Sequence, residues 1–242
     1  MNSGDIVRVW ELGSGLGPVE RALTALAPCL PGWSREEIAS LAIGRRNALL
    51  IAARARLFGP LINAFTECPR CRERLEFGLD SNSIASANPE RERQSETTLE
   101  TGEFFMRLRP VNSYDLAAAG ACADADAAVK ALARGCIVEL KQNGIPADFD
   151  SLPPDVVTEL EAKLSEADPD SSISVELRCP ACATAWELPL DIASFFWAEL
   201  SAEAKRICRE VHTLAAAYGW REDYILGMNP KRRQIYLELI AQ

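Results

Sequence analysis

Four of the eight cysteines stand in two matching pairs, Cys68-Pro69-Arg70-Cys71 and Cys179-Pro180-Ala181-Cys182. A Cys-x2-Cys turn lets two thiolates meet one ion at about 2.3 Å with tetrahedral angles, and two such turns complete a closed four-sulfur site. The proline in each pair stiffens its turn. The surroundings repeat as well. At 62–80 and again at 173–191, an apolar stretch leads into the knuckle, small or polar residues follow, and an alternating stretch ends in Leu-Asp. The expected chemistry is one structural zinc, Zn2+, on Cys68, Cys71, Cys179 and Cys182. Four thiolates leave no open position, which excludes a catalytic zinc. Two reduced, metal-free pairs or two local disulfides are the competing reading. A thioredoxin-like redox role lacks the βαβ context it needs.

No other group reaches that specificity. Cys29, Cys122, Cys136 and Cys208 sit among apolar residues, where a free cysteine packs as a small hydrophobe. His212 is the only histidine and lies at i+4 from Cys208, so the two share a helix face. A Cys-His nucleophile pair or half a metal site would look like this. No third group accompanies them, and packing is the expectation. Gly13-Ser14-Gly15-Leu16-Gly17 does not have the G-x-G-x-x-G spacing of a dinucleotide loop. There is no Walker A loop, no Gly-x-Ser-x-Gly elbow and no His-Glu-x-x-His helix. No catalytic and no cofactor-binding residue is expected beyond the four metal ligands. Arg45, Arg46, Arg54 and Arg56 are the densest basic cluster, and Lys231-Arg232-Arg233 is a second. Each reads as a solvated helix face or as a nucleic-acid contact. Trp197, Trp220, Tyr224 and Tyr236 make the C-terminal third aromatic-rich, for a core or for a partner groove.

The elements that must position the cysteines follow from periodicity and caps. Alternation of Leu75, Phe77 and Leu79 predicts a strand after the first knuckle, and Ile173, Val175 and Leu177 predict one before the second. Residues 185–190 read as its return strand. Ser34-Arg35-Glu36-Glu37 is a capping box flanked by Trp33 and Ile38 at staple spacing, so a short helix follows. Gly44 interrupts it, and a second helix runs over 45–58 to Gly59-Pro60. Residues 7–12 read as a strand, and Pro18 opens a helix ended by Pro28 and Pro31. The polar stretch 81–102 reads as an exposed linker, and 103–110 as a strand. Residues 113–168 read as helical, with one stripe of Val129, Leu132, Ala133, Cys136, Ile137 and Leu140 and another of Val156, Val157, Leu160 and Leu164. From 191 onward the chain is helical, with Ser201 as a cap between two helices, Gly219 as a stop and a last helix from Pro230.

Composition bounds the function. The 242 residues carry 26 basic and 35 acidic side chains, a net charge of −9, and a pI near 4.9. That balance argues against broad electrostatic binding to nucleic acid. No apolar run of membrane-spanning length occurs. The first residues lack a basic and then apolar leader, so a cytoplasmic protein with reduced thiols is expected.

Several segments together resemble a known group. They are Ile43-Gly44-Arg45-Arg46-Asn47-Ala48-Leu49-Leu50, then Leu57-Phe58-Gly59-Pro60, then the two knuckles, then Tyr218-Gly219-Trp220-Arg221-Glu222 through Arg232-Arg233-Gln234-Ile235-Tyr236-Leu237. Their order over roughly 40–80 and 173–242 resembles the T4-type phage baseplate hub assembly chaperones, with relatives in operons of phage-like contractile injection systems. The resemblance implies a non-enzymatic assembly protein with no catalytic residues, partnered by baseplate or hub subunits of a contractile tail.

The expected architecture is mainly α with a small β element, a split zinc ribbon bridging helical segments. Its parts are an N-terminal helical region 1–60, the ribbon at 61–80 and 173–190, the linker 81–102, a strand plus helical insertion 103–172, and a C-terminal helical region 191–242. The expected function is an assembly chaperone. A permanent baseplate component, a zinc-ribbon nucleic-acid binder and a cysteine-dependent enzyme are its competitors.

Overall fold

The computed structural model describes residues 1–84 and 96–241. In chain order, helices α1 (Ser3–Gly13), α2 (Pro18–Leu26), α3 (Arg35–Ala39) and α4 (Ile43–Phe58) precede a hairpin of β1 (Leu61–Glu67) and β2 (Arg74–Asp80). A single turn α5 (Ser81–Ile84) follows, then β3 (Thr97–Thr101), β4 (Phe104–Leu108), α6 (Ser113–Gly120), α7 (Ala125–Cys136), β5 (Ile137–Gln142), β6 (Ile145–Pro146) and α8 (Pro154–Ala167). A second hairpin, β7 (Ser174–Arg178) and β8 (Ala185–Pro189), leads into α9 (Ile192–Tyr218), α10 (Glu222–Gly227) and α11 (Pro230–Ile240). The fold is mainly helical with small antiparallel sheets. No helix among the described residues is long and apolar enough to cross a membrane.

The chain divides into two units, one of residues 1–33 with 192–242 and one of residues 34–191. The first is all helix. On α9, Phe196, Leu200, Ala204, Ile207 and Leu214 recur at helical spacing and are buried. Against α9 pack α1, which buries Ile6, Val7 and Val9, and α2, which buries Ala22, Leu23 and Leu26. Arg233 on α11 is 1% exposed, with Nε donating to Glu210 Oε2 at 2.7 Å and Nη2 to Ser3 Oγ at 3.1 Å. It fastens α11 to α9 and α1 by charge-assisted bonds.

The second unit holds both Cys pairs. Its insertion is a four-stranded antiparallel sheet, in order β3-β4-β5-β6, with α7 and α8. Phe104, Met106, Leu108, Ala133, Leu140, Val156 and Leu160 form the core there. Arg109 clamps the carboxylate of Asp115 with two bonds of 2.6 and 2.8 Å. The start of α4 is closed by chain from the other end of the insertion. The Gly44 amide donates to Asp168 Oδ2 at 2.8 Å, and Asn47 Nδ2 donates to the Ser171 carbonyl at 3.2 Å. A carboxylate at a helix N-terminus also meets the positive end of the helix dipole.

Five expectations are corrected. Residues 7–12 are helix and not strand, because Asn2 and Asp5 form a capping box just before them and Ile6, Val9 and Gly13 recur at helical spacing on the buried face. Ser201 does not separate two helices, since the buried stripe Leu200–Ala204–Ile207 runs straight past it. Gly44 lies in the first turn of α4 instead of before it. The stretch 113–168 is not helical throughout. Ile137 and Leu140 belong to β5, where Met106 pairs with Leu140 across β4, so tertiary pairing overrides the helical reading. The ends of the expected linker are folded, as α5 and β3, while 85–95 lies outside the described residues.

Candidate metal centre

The two hairpins bring Cys68, Cys71, Cys179 and Cys182 together, with all four sulfurs within 4.8 Å of one another. Each knuckle is closed by the same pair of backbone bonds. In the first, the Cys68 amide donates to the Glu73 carbonyl and the Arg72 amide donates to the Cys68 carbonyl, both at 2.9 Å. In the second, the Cys179 amide donates to the Thr184 carbonyl and the Ala183 amide donates to the Cys179 carbonyl, again both at 2.9 Å. Arg72 and Ala183, one residue after the second cysteine of each pair, hold left-handed backbone at φ 63° and 57°. That region suits glycine, and two side-chain-bearing residues are held there by the turn.

The sulfur geometry suits one ion. Tetrahedral bonds of about 2.3 Å place ligand sulfurs about 3.8 Å apart. Across the hairpins, Cys68 and Cys182 are 3.7 Å apart and Cys71 and Cys179 are 3.5 Å apart. Cys68 and Cys179 are buried, Cys182 is half-buried and Cys71 is exposed, so the centre lies at the surface with one face walled off. The thiols have unequal affinities for their protons. Hydrogen bonding with the Thr184 hydroxyl, 3.2 Å from the sulfur, and then with the Thr184 backbone pulls Cys182 down to about 6, against the opposing effect of burial. The Glu73 backbone bond also pulls on Cys71, but partial desolvation and its hydrogen bonds with the other three sulfurs push it up to about 12. Four thiols this close resist gathering negative charge, and a cation at the centre would relieve that repulsion. The donor set can hold a metal ion.

The other sequence candidates separate. Cys208 is half-buried, and burial followed by Glu222 and Glu11 raises its pKa, the reverse of what an activated thiol requires. His212 is exposed on the same helix. The Gly13–Gly17 stretch follows a helix, not a strand, and joins α1 to α2. Among the four clustered arginines, Arg46 and Arg54 are 5% and 3% exposed. Arg46 donates to Ser113 Oγ at 3.1 Å and Arg54 to the Gly59 carbonyl at 2.7 Å, so they are internal fasteners and not a cationic face. Burial lowers the Arg46 pKa, partly countered by Asp191. Arg233 is internal too. The C-terminal aromatics form a cluster in which Tyr218 stacks on Trp220 at 4.5 Å and Tyr236 meets Trp220 edge-on at 4.9 Å. Tyr224 remains 51% exposed. Trp197 lies elsewhere, against Gly13 and under Arg21. Sequence reasoning missed Thr184, which tunes Cys182, and Asp168, which closes α4. Neither carries a local signal, because each meets its partner through the fold.

A family model described as T4 bacteriophage base plate protein matches residues 23–197, well over half of the chain. The matched span takes in both Cys pairs and the insertion between them. No curated protein and no solved structure matches.

Proposed function

The chain belongs to the T4 bacteriophage base plate protein family, and from that membership we propose that it is a non-enzymatic assembly chaperone for the baseplate hub of a contractile phage tail or phage-like injection system. It acts in the cytoplasm before the particle is finished. It binds unassembled hub or baseplate subunits through its C-terminal helical region and covers apolar surface until assembly. The observation that carries this reading is the family match, which points to baseplate partners.

In this reading the four cysteines hold one structural Zn2+ as the pin of a split zinc ribbon. A closed four-thiolate set supplies no open position for substrate, so the metal's contribution is to folding. Cys68 and Cys179 hold it from the buried side, Cys71 and Cys182 from the outer side. The pin ties the two hairpins that flank the insertion.

A second reading is favoured by the family's description itself, in which the chain stays in the finished baseplate. Deleting the gene and imaging the tails separates the two. A chaperone's loss leaves hub subunits insoluble or degraded, and overproducing those subunits restores complete baseplates. A permanent component's loss leaves every baseplate with missing density that extra subunits do not restore.

A further inference from the structure

On the all-helical unit a groove runs between α1 and α9, lined by Trp10, Trp197, Ala198, Ala202, Lys205 and Cys208, with Arg209 at its edge. Its floor is built in place. The Trp197 ring packs so close to Gly13 that a β-carbon there would lie 2.3 Å from the ring. The Arg21 guanidinium lies over the same ring at 5.3 Å and is itself held by the carbonyls of Gly13 and Ser14 at 3.2 and 3.0 Å. Trp10 and Trp197 are only half-buried, so two indoles line an open groove together with the small side chains of Ala198 and Ala202.

Two cations in the groove's lining are unpaired. Arg206, on the same helix, is engaged by Glu203 and Glu210. Lys205 and Arg209 are exposed and have no acidic partner among the described residues. This stands out in a chain of net charge −9, where acids outnumber bases. The two cations are one helical turn apart, a spacing of about 6 Å that matches two carboxylates at i and i+4 of a facing helix. Glu11 and Glu222 lie close enough to act on Cys208, so Lys205 and Arg209 are the lining positions that attract an anion. An indole floor with a charged rim is the arrangement of an anchor pocket, where the apolar group supplies affinity and the charges supply selection.

We infer that this groove binds an acidic amphipathic helix of a partner protein, with one large apolar side chain seated between Trp10 and Trp197 and two carboxylates one turn apart on Lys205 and Arg209. It rests on the assembly reading only in making a tail subunit the natural occupant.

The test uses the full-length, metal-loaded chain and a fluorescein-labelled 18-residue amphipathic peptide with a Leu/Phe face and glutamates at i, i+4 spacing. Anisotropy reads its binding, and mass spectrometry reads protection of Cys208 from iodoacetamide. The expected results are at least tenfold weaker binding to the exposed double variant Lys205→Glu/Arg209→Glu, and recovery of that loss by a peptide carrying lysines in place of its glutamates. Ala202→Gln, which fills the groove without changing charge, should also weaken binding tenfold, and bound peptide should slow Cys208 alkylation. Equal binding of the acidic and basic peptides, or a bound peptide that leaves Cys208 unprotected, would overturn the inference. So would dimerisation that depends on Lys205 and Arg209, or displacement of the peptide by an oligonucleotide. Should the double variant still capture tail subunits undiminished, the groove assignment fails and the assembly reading stands. Peptide binding as described, with no tail subunit recovered in the cell, is the opposite case.

Discussion

In the proposed zinc-loaded protein, removing the metal should loosen the unit of residues 34–191 by an amount fixed by chain topology. Cys71 and Cys179 are 108 positions apart in sequence and 3.5 Å apart at the sulfurs. A link that closes a loop of that size removes about 4.7 kcal/mol of entropy from the unfolded chain. The perturbation is Cys179→Ser, which deletes a ligand that is 1% exposed and disturbs little else. Loss of the ion should then cost about 4–5 kcal/mol. For a unit of this size each kcal/mol lowers the midpoint by about 2–4 °C, so the fall is roughly 10–20 °C. The assay is thermal and urea unfolding followed at Trp186, which lies on β8 and is the one tryptophan of residues 34–191. Native mass spectrometry of the same samples counts bound zinc. Chelation of the unmutated protein should reproduce the variant's midpoint, and chelation of the variant should change nothing. A variant that keeps one zinc per chain, or a metal-free protein within about 1 kcal/mol of the loaded one, would refute the argument that the ion is a long-range pin.

Four other outcomes are expected. Gly44→Ala should destabilise by about 2–3 kcal/mol in urea unfolding, because its β-carbon would lie 2.2 Å from Asp168 Oδ1 and 2.9 Å from Asp170 Cβ. Arg233→Met should cost about 2–3 kcal/mol, since it removes buried bonds to Glu210, Ser3 and the Ile225 carbonyl while Arg206 still pairs with Glu210. The double variant with Glu210→Met should cost less than the two single variants added together, and a double-mutant cycle reads the difference. Ala183→Gly should stabilise by up to about 1 kcal/mol, because relief of left-handed backbone exceeds glycine's extra entropy cost, and the urea midpoint reports it. Cys136 is pushed up to about 12 by burial first and then by Asp115, with Arg109 opposing. The folded state therefore keeps a proton that the unfolded chain loses near pH 9, and stability falls as pH rises from 9 toward 12. Between pH 8 and pH 10 the stability gap between the protein and Cys136→Ala should narrow by about 1 kcal/mol.

The cluster of four cysteines was legible in sequence because its signal is local. A Cys-x2-Cys turn needs only its own residues, and the flanking alternation of Leu75, Phe77 and Leu79 recurs as β2 with every second residue half-buried. Caps were equally readable, as Ser34 with Glu37 shows. What failed were stretches whose fate depends on distant partners. Ile137 and Leu140 continue the apolar stripe of α7 by spacing, yet β4 recruits them as strand. Val7 and Val9 are β-branched and alternate, but the Asn2–Asp5 cap and packing on α9 make them helix. The arginine cluster at 45–56 looked solvated, since nothing in its own sequence announces Ser113 or Gly59 as partners. The groove residues Trp10, Lys205 and Arg209 lie at opposite ends of the chain and meet only through α1 packing on α9.

The central claim is that this chain handles baseplate subunits before assembly and leaves them afterwards. The direct measurement is quantitative mass spectrometry of a tagged chain's complexes, taken from cells during tail assembly and compared with purified finished particles. An assembly chaperone should show hub or baseplate subunits bound at defined stoichiometry in the first sample and no copy of this chain in the second. A fixed number of copies in every finished particle would contradict it and make the chain a permanent part of the baseplate.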